Sequence, residues 1–349
     1  MIALMSSAAG ASTPGLPSRR LVLRGVSRLA VVGAAAALGG CSIRLQDDAP
    51  DIPLLQRRSV PDEAALIAEF HLATSLSQKA GRIPLPTAFI TQLTRIHATQ
   101  AQVVHGLLSR SGVPDHVITA AAPTSSATAA ATTTATTSGT ATATSIRAPA
   151  VSSPPPTTVA QLTAAEVEAV SAGVLAEAAG ATETNRSVLA SVAAQRAAAA
   201  GLLGGTVPWP NADPLAPPSA ARLLEATRPV VYAFEVVAAQ LAGDKRLPAL
   251  ATLAALRVRE EELTAAAGAS ATADPLGYAL PYPVTSPDLA HRLAGEVLAR
   301  LIEGGLELVP GLPAGSTSLT AIIRLQAQAQ SLAHDWGATP VPFPGMAYP

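Results

Sequence analysis

Between about Thr119 and Thr158 the chain is built almost wholly of Ala, Thr, Ser and Pro, with one charge, at Arg147. A tract of that composition lacks the large apolar side chains that a core requires, so it reads as a disordered or extended connector, one that also suits O-glycosylation. Stretches of clear helical period lie on both sides of it. Helices separated in this way must assemble across a long crossover, and that requirement restricts the fold more than any other feature of the sequence.

On the N-terminal side, Ser59-Val60-Pro61-Asp62-Glu63 places a cap and a first-turn Pro ahead of AALIAEFHLATSLSQKA, closed by Gly81. A second helix is predicted from about Pro86 to Arg110. Its apolar stripe is Phe89, Leu93, Ile96, Val103, Val104, Leu107 and Leu108, and Ser111-Gly112-Val113-Pro114 stops it. Beyond the connector, Leu162-Thr163-Ala164-Ala165-Glu166 reads as a capping box opening a third helix that runs to about Gly180, and a fourth spans Glu183 to Leu203. The Pro-rich joint GGTVPWPNADPLAPPS, Gly204 to Ser219, then separates a second set. Its helices are expected at about Ala220–Leu241, with a bend near Pro229, then Leu247–Ala267, Pro287–Leu308 and Ser316–Asp335. Residues 275–287 form another long connection in the same topological place.

Hydrophobic residues make up 49% of the chain while aromatics reach only 3%, so the apolar content is mainly Ala, Leu and Val. Ala and Leu favour close-packed helices, whereas strands prefer β-branched and aromatic residues. The expected class is therefore all-α. A formal net charge of -1 supplies no polybasic surface, which argues against a nucleic-acid partner.

The first forty residues read as an export signal. SRRLVLR, residues 18–24, precedes an apolar run from Leu29 to Leu38 that is too short for a stable membrane span, and Gly39, Gly40 and Cys41 follow. Leu38-Gly39-Gly40-Cys41 resembles a bacterial lipobox, in which the Cys thiol is acylated and becomes the new N-terminus; Cys41 is the only cysteine. Arg19 and Arg20 with the following apolar residues resemble a twin-arginine signal, which exports folded proteins. Two acyl chains, palmitate among them, would anchor the mature chain stably to a membrane. A chain with one cysteine forms no internal disulfide, so packing must supply its stability.

VVYAFEVVAAQL (230–241), RVREEELTAAAGA (257–269), GYALPYPVTSPDLAHRLAGEVLARL (277–301) and the closing HDWG (334–337) resemble a ferritin-like domain of unknown function found in actinobacterial exported proteins. The resemblance covers about residues 218–337, and ALPYPVTSP is its most specific part. Residues 60–204 look like a more distant bundle of the same type. The expected organisation is two tandem ferritin-like four-helix bundles with long crossovers. It comprises a signal at 1–40, a tether at 41–58, a divergent bundle at 59–204 interrupted by the crossover 117–158, a joint at 205–218, a second bundle at 219–337 and a tail at 338–349. The resemblance also implies an anchor in the cytoplasmic membrane, with the protein on its outer face.

A di-iron bundle needs about four carboxylates and two histidines projecting inward, one Glu from each of two helices and Glu-x-x-His from the other two. Glu69 stands where the lone Glu of the first helix belongs, and Gln102 with His105 stands where Glu-x-x-His belongs. Glu166, Glu168 or Glu177 is available on the third helix, and Glu168 completes the candidate set. The fourth offers only Gln195-Arg196-Ala197-Ala198, so at best half a site is present. His97 and His105, eight residues apart, share a helix face and form with Glu69 a second candidate set for one zinc or copper ion. Glu69 and His71 point about 200° apart and cannot both line one site. In the second half Thr227-Arg228 replaces the Glu-His of related domains. Glu225 and Glu235 share a face with no His near them, Glu260, Glu261 and Glu262 read as a solvated face, and His291 and His334 read as exposed or locally hydrogen-bonded.

There is no phosphate-binding Gly-rich loop, no Gly-x-Ser-x-Gly and no His-Glu-x-x-His, and the one Cys is committed to lipidation. The expectation is a non-catalytic, membrane-anchored lipoprotein without a cofactor, meeting a partner in the cell envelope or helping to organise it. The competing expectations are a metal-binding or oxidase-like protein holding iron or zinc, and a helical lipoprotein with an apolar-ligand pocket.

Overall fold

A computed structural model describes residues 57–120, 155–211 and 214–346. The signal, Cys41 and nearly all of the tether lie outside these residues, as does most of the connector. All the described residues fall within one compact unit, Arg57–Pro349.

Among the described residues the regular structure is helical, with no strand. The helices are α1 Glu63–Gly81, α2 Ala88–Arg110, α3 Asp115–Ile118, α4 Val159–Glu168, α5 Ala172–Gly180 and α6 Glu183–Leu202, then α7 Pro217–Gln240, α8 Arg246–Ala267, α9 Pro287–Leu306 and α10 Ser318–Asp335. α1 and α2 pair, α4 and α5 lie on α6, and α4 also meets α1; in the second half α7 packs on both α8 and α9, and α9 on α10.

Local chemistry sets the helix ends. Thr87 caps α2 by accepting from Ile90 N, and Ser286 caps α9 by accepting from Leu289 N ahead of Pro287. α4 starts earlier than its sequence suggests. Its capping box is Thr158 with Gln161 rather than the residues around Thr163, and the expected third helix is two helices, α4 and α5, bent by 42° at residues 169–171. Asp62 sits in the left-handed region at φ 58° before α1, and its carboxylate turns away to accept from Thr182 N, Thr182 Oγ1 and Asn185 Nδ2 at the start of α6. One acid thus ties two helix N-termini together across the connector. α7 continues through Pro229 as one helix.

α6 is buried on every side from Val188 to Ala200. A helix buried all round belongs at the centre, and its alanines let neighbours approach closely. α6 also packs against α10, so the main core runs from Leu66 and Val104 through Ala190 and Ala194 to Leu223, Ile322 and Leu325 without a break between the halves. Two further ties cross the same seam. The buried Arg186 guanidinium donates to the carbonyls of Ala181 and Leu312, and Gly315 N donates to Ala179 O at 2.7 Å. Gly305 marks a close approach within the second half, where a Cβ would lie 2.0 Å from Gln326 Nε2, which donates to Ile302 O.

The segment after α10 is a strap laid over the first half. Phe343, 2% exposed, fills the space between α2 and α6, packing with Val188 and Val192 and against Val103 and Leu107. Three alternate carbonyls of the strap each accept a side-chain bond: Pro340 from Gln92 Nε2, Pro342 from Gln100 Nε2, and Pro344 from Ser191 Oγ. A proline has no N–H to satisfy, so a Pro-alternating strand can lie in such a groove with only its carbonyls engaged. The region expected as a tail is therefore part of the wall that closes the first helical group.

Candidate functional site

The interior of the first group holds a set of buried polar side chains, one or two from each helix. Glu69 comes from α1, His97 and Gln100 from α2, Glu166 from α4, and Gln195 and Arg196 from α6; all are buried, four of them completely. They form two linked arrangements.

In the first, Arg196 meets Glu69 end-on. Its Nη1 donates to Glu69 Oε2 at 2.8 Å and its Nη2 to Glu69 Oε1, while Nε has no partner among the described residues. A paired fork of this kind is the strongest charge-assisted geometry open to a carboxylate, and it uses both oxygens of Glu69.

In the second, Gln100 sets the proton positions. Its Nε2 donates to Gln195 Oε1 at 3.0 Å and to Pro342 O at 2.8 Å, both acceptors, so its Oε1 must face His97 Nδ1 at 3.0 Å. Nδ1 therefore carries hydrogen and donates. His97 Nε2 lies 2.7 Å from Glu166 Oε1. Through Gln100, a carbonyl of the C-terminal strap dictates which ring nitrogen of His97 does what. Glu166 Oε2 is buried without a partner among the described residues.

The sequence-predicted residues divide sharply here. Glu69 is inside, as expected. Gln102 is exposed, Glu168 is exposed, and His105 lies at the rim, 36% exposed, its Nε2 2.7 Å from Asp115 Oδ1. His97 and His105 are not brought together: the first is completely buried and the second is not. Glu177 is exposed on α5, and His71 packs edge-on to Phe70. The inward pair on α2 is His97-x-x-Gln100, one and a half turns before the Gln102-x-x-His105 that sequence suggests. On α4 the inward acid is Glu166.

These residues do not fit a metal pair. Two hard cations need several free carboxylates around one point. Here both oxygens of Glu69 are held by Arg196, Glu166 is held by His97, and the fourth helix contributes a guanidinium, whose charge repels a cation. No cluster of three or more His, Cys, Asp or Glu with metal-holding geometry occurs among the described residues.

The second half has an apolar interior where the first has charges. Thr227 turns its hydroxyl to Leu223 O within its own helix, and Thr252 accepts from Trp336 Nε1 at 3.1 Å. Arg228 leaves the core at the opposite edge. It donates to Thr272 O at 2.7 Å and stands 3.6 Å from Glu260 and 3.7 Å from Asp274. Burial, with the charge of Asp274, raises the Glu260 carboxyl above its ordinary range. Burial also raises the Tyr278 hydroxyl to about 12, helped by the hydrogen bond it donates to Asp274 Oδ1. Glu225 and Glu235 are both exposed, the latter paired with Arg257.

This second half matches a known family model. Residues 220–348 match a domain of unknown function, DUF4439. The DUF4439 match begins at the start of α7 and extends past α10 over the whole strap, so the strap belongs to the domain and is not an appendage. No curated protein and no solved structure matches the chain.

A crevice of about 60 Å³ lies beneath the strap beside Gln195, Ala198 and Leu202, much smaller than an ordinary ligand pocket. A cleft of about 420 Å³ opens where the Pro-rich joint crosses α7, α8 and α10.

Proposed function

We propose that the protein is a non-catalytic, lipid-anchored binding protein of the cell envelope, built on two ferritin-like helical groups, with a resident guanidinium in place of the ancestral metal. One observation carries this reading: the paired fork between Arg196 and Glu69 in the interior of the first group. A buried charge is costly unless paired, and Arg196 supplies internally the positive charge that a metal would otherwise bring to the carboxylates. The order of two helices, a long connector and two more helices supports the ferritin-like ancestry. No single helix among the described residues is long and apolar enough to cross a membrane; α4 and α5 reach the length only together, across their 42° bend. Anchoring therefore rests in this reading on Cys41 behind the Leu29–Leu38 run, with the chain at the outer face of the cytoplasmic membrane.

Two measurements test the proposal. Aerobic addition of Fe(II) to the chain from Ser42 onward is expected to give no oxidation beyond the buffer rate. In cells, Cys41→Ser is expected to release the protein from membranes. Protein-accelerated iron oxidation, or a Cys41→Ser protein that stays membrane-bound, would contradict it.

A further inference from the structure

The cleft beside the Pro-rich joint combines an apolar floor with two arginines. Its floor is apolar, from Leu223 on α7, Leu263 on α8 and Leu325 on α10, and Trp209 closes one side. Two arginines stand on its walls, Arg259 on α8 and Arg324 on α10, against one acid, Glu262.

The two arginines are held in unequal states. Arg259 is mostly buried and fully engaged: Nη1 meets Glu262 Oε2, and Nε and Nη2 both donate to Gln328 Oε1, at 3.2 and 2.7 Å. Arg324 makes no hydrogen bond or ion pair among the described residues, and its charge acts unfavourably on Arg259. Glu262 is already used by Arg259, so among the described residues the wall carries one uncompensated positive charge over an apolar floor. Like charges facing one cavity raise its potential and attract an anion.

We infer that this cleft binds a small amphipathic monoanion, its carboxylate, sulfonate or phosphate head on Arg324 and its apolar body over Leu223, Leu263 and Leu325 beside Trp209. A volume of about 420 Å³ accommodates a small organic molecule. Arg259 acts as the rigid wall, positioned by Gln328, and Arg324 as the free arm that closes on the ligand. Ala212 and Asp213, from the same joint, lie outside the described residues, and no part of the site is assigned to them. The inference extends the binding reading above by naming a ligand class. A metal-loaded protein would overturn that reading and leave the cleft untouched, while a cleft that binds no anion would overturn this one alone.

The test uses the chain from Ser42, which retains the whole compact unit Arg57–Pro349, and a matched pair of fluorescent probes. These are 8-anilinonaphthalene-1-sulfonate and N-phenyl-1-naphthylamine, which share a skeleton and differ in the anionic head. One-to-one binding of the sulfonate is expected, weakened about tenfold or more by Arg324→Gln and progressively by salt, because a charge-assisted contact is lost or screened. The uncharged amine should bind parent and Arg324→Gln alike. Ala266→Trp, which fills the cleft, should abolish both, and Arg300→Gln, an exposed arginine on α9, should change neither. Sulfonate binding that survives Arg324→Gln or Ala266→Trp would place the dye elsewhere and overturn the assignment, as would no binding at all.

Discussion

The guanidinium of Arg196 meets both carboxylate oxygens of Glu69 in the interior of the first helical group, joining α6 to α1. Both side chains are almost completely removed from solvent. Removal of either partner leaves the other charged and buried. Arg196→Met and Glu69→Leu should each cost about 3–5 kcal/mol in urea unfolding, whereas the double variant should unfold near the parent midpoint. A double variant as unstable as the singles would mean that the pair does more than neutralise itself.

The strap gives a second prediction. Phe343 is buried between α2 and α6, and Gly345, at φ 75°, turns so tightly that a Cβ would lie 2.7 Å from Ile302 O. Phe343→Ala should cost roughly 3–5 kcal/mol, and Gly345→Ala should loosen the same segment. Hydrogen exchange should show faster opening of α2 and α6 in both variants, with α8 unchanged. Equal protection across all helices would show that the strap closes nothing.

The two candidate histidines of α2 should behave oppositely. His97→Ala leaves Gln100 Oε1 and Glu166 Oε1 buried without a partner, at a cost of about 1–3 kcal/mol for each stranded group. His105→Ala removes a rim contact with Asp115 and should stay within about 0.5 kcal/mol of the parent. Thermal unfolding of the two variants side by side checks this.

Asp62 predicts a pH dependence. Burial works against its charged form, but the bonds from Thr182 and Asn185, with the field of Arg186, outweigh it and hold the carboxyl below its ordinary value. A depressed folded value means that Asp62 stabilises fully above the ordinary carboxylate range and loses its contribution as pH falls through the folded value. Asp62→Asn keeps a residue that tolerates the left-handed backbone, so it isolates the charge. It should lower stability by about 0.5–2 kcal/mol at neutral pH, the range of a lost helix cap, and converge with the parent in acid. A constant gap at all pH values would assign the effect to shape rather than charge.

Much of the helical plan was legible in the sequence, because Pro, Gly and capping residues punctuate long Ala/Leu segments; Gly81, Thr87, Ser286 and Pro287 all fall at helix ends. The third helix was read as one because Ala165 to Gly180 contains no breaker strong enough to mark the bend. Glu69 lies in the interior, on the buried face of α1. On α2 the register was missed because Gln102 and His105 resemble a ligand motif, while the buried stripe Leu93, Ile96, Gln100, Val104 and Leu108 already turns them outward. That spacing of three and four residues was the available signal for His97 and Gln100. Arg196 as a core residue had no local signal, since only the facing Glu69, 127 positions away, makes its burial tolerable. The strap was also hidden, because TPVPFPG reads as a tail until α2 and α6 are brought together.

In the proposed reading a guanidinium stands where metal chemistry would otherwise occur. Elemental mass spectrometry of the chain from Ser42, purified without chelator or metal-affinity resin, tests it most directly, with Glu166→Ala alongside. A folded, helical protein with iron, manganese and zinc at trace levels is expected in both samples. Near-stoichiometric metal in the parent that is lost from Glu166→Ala would contradict it.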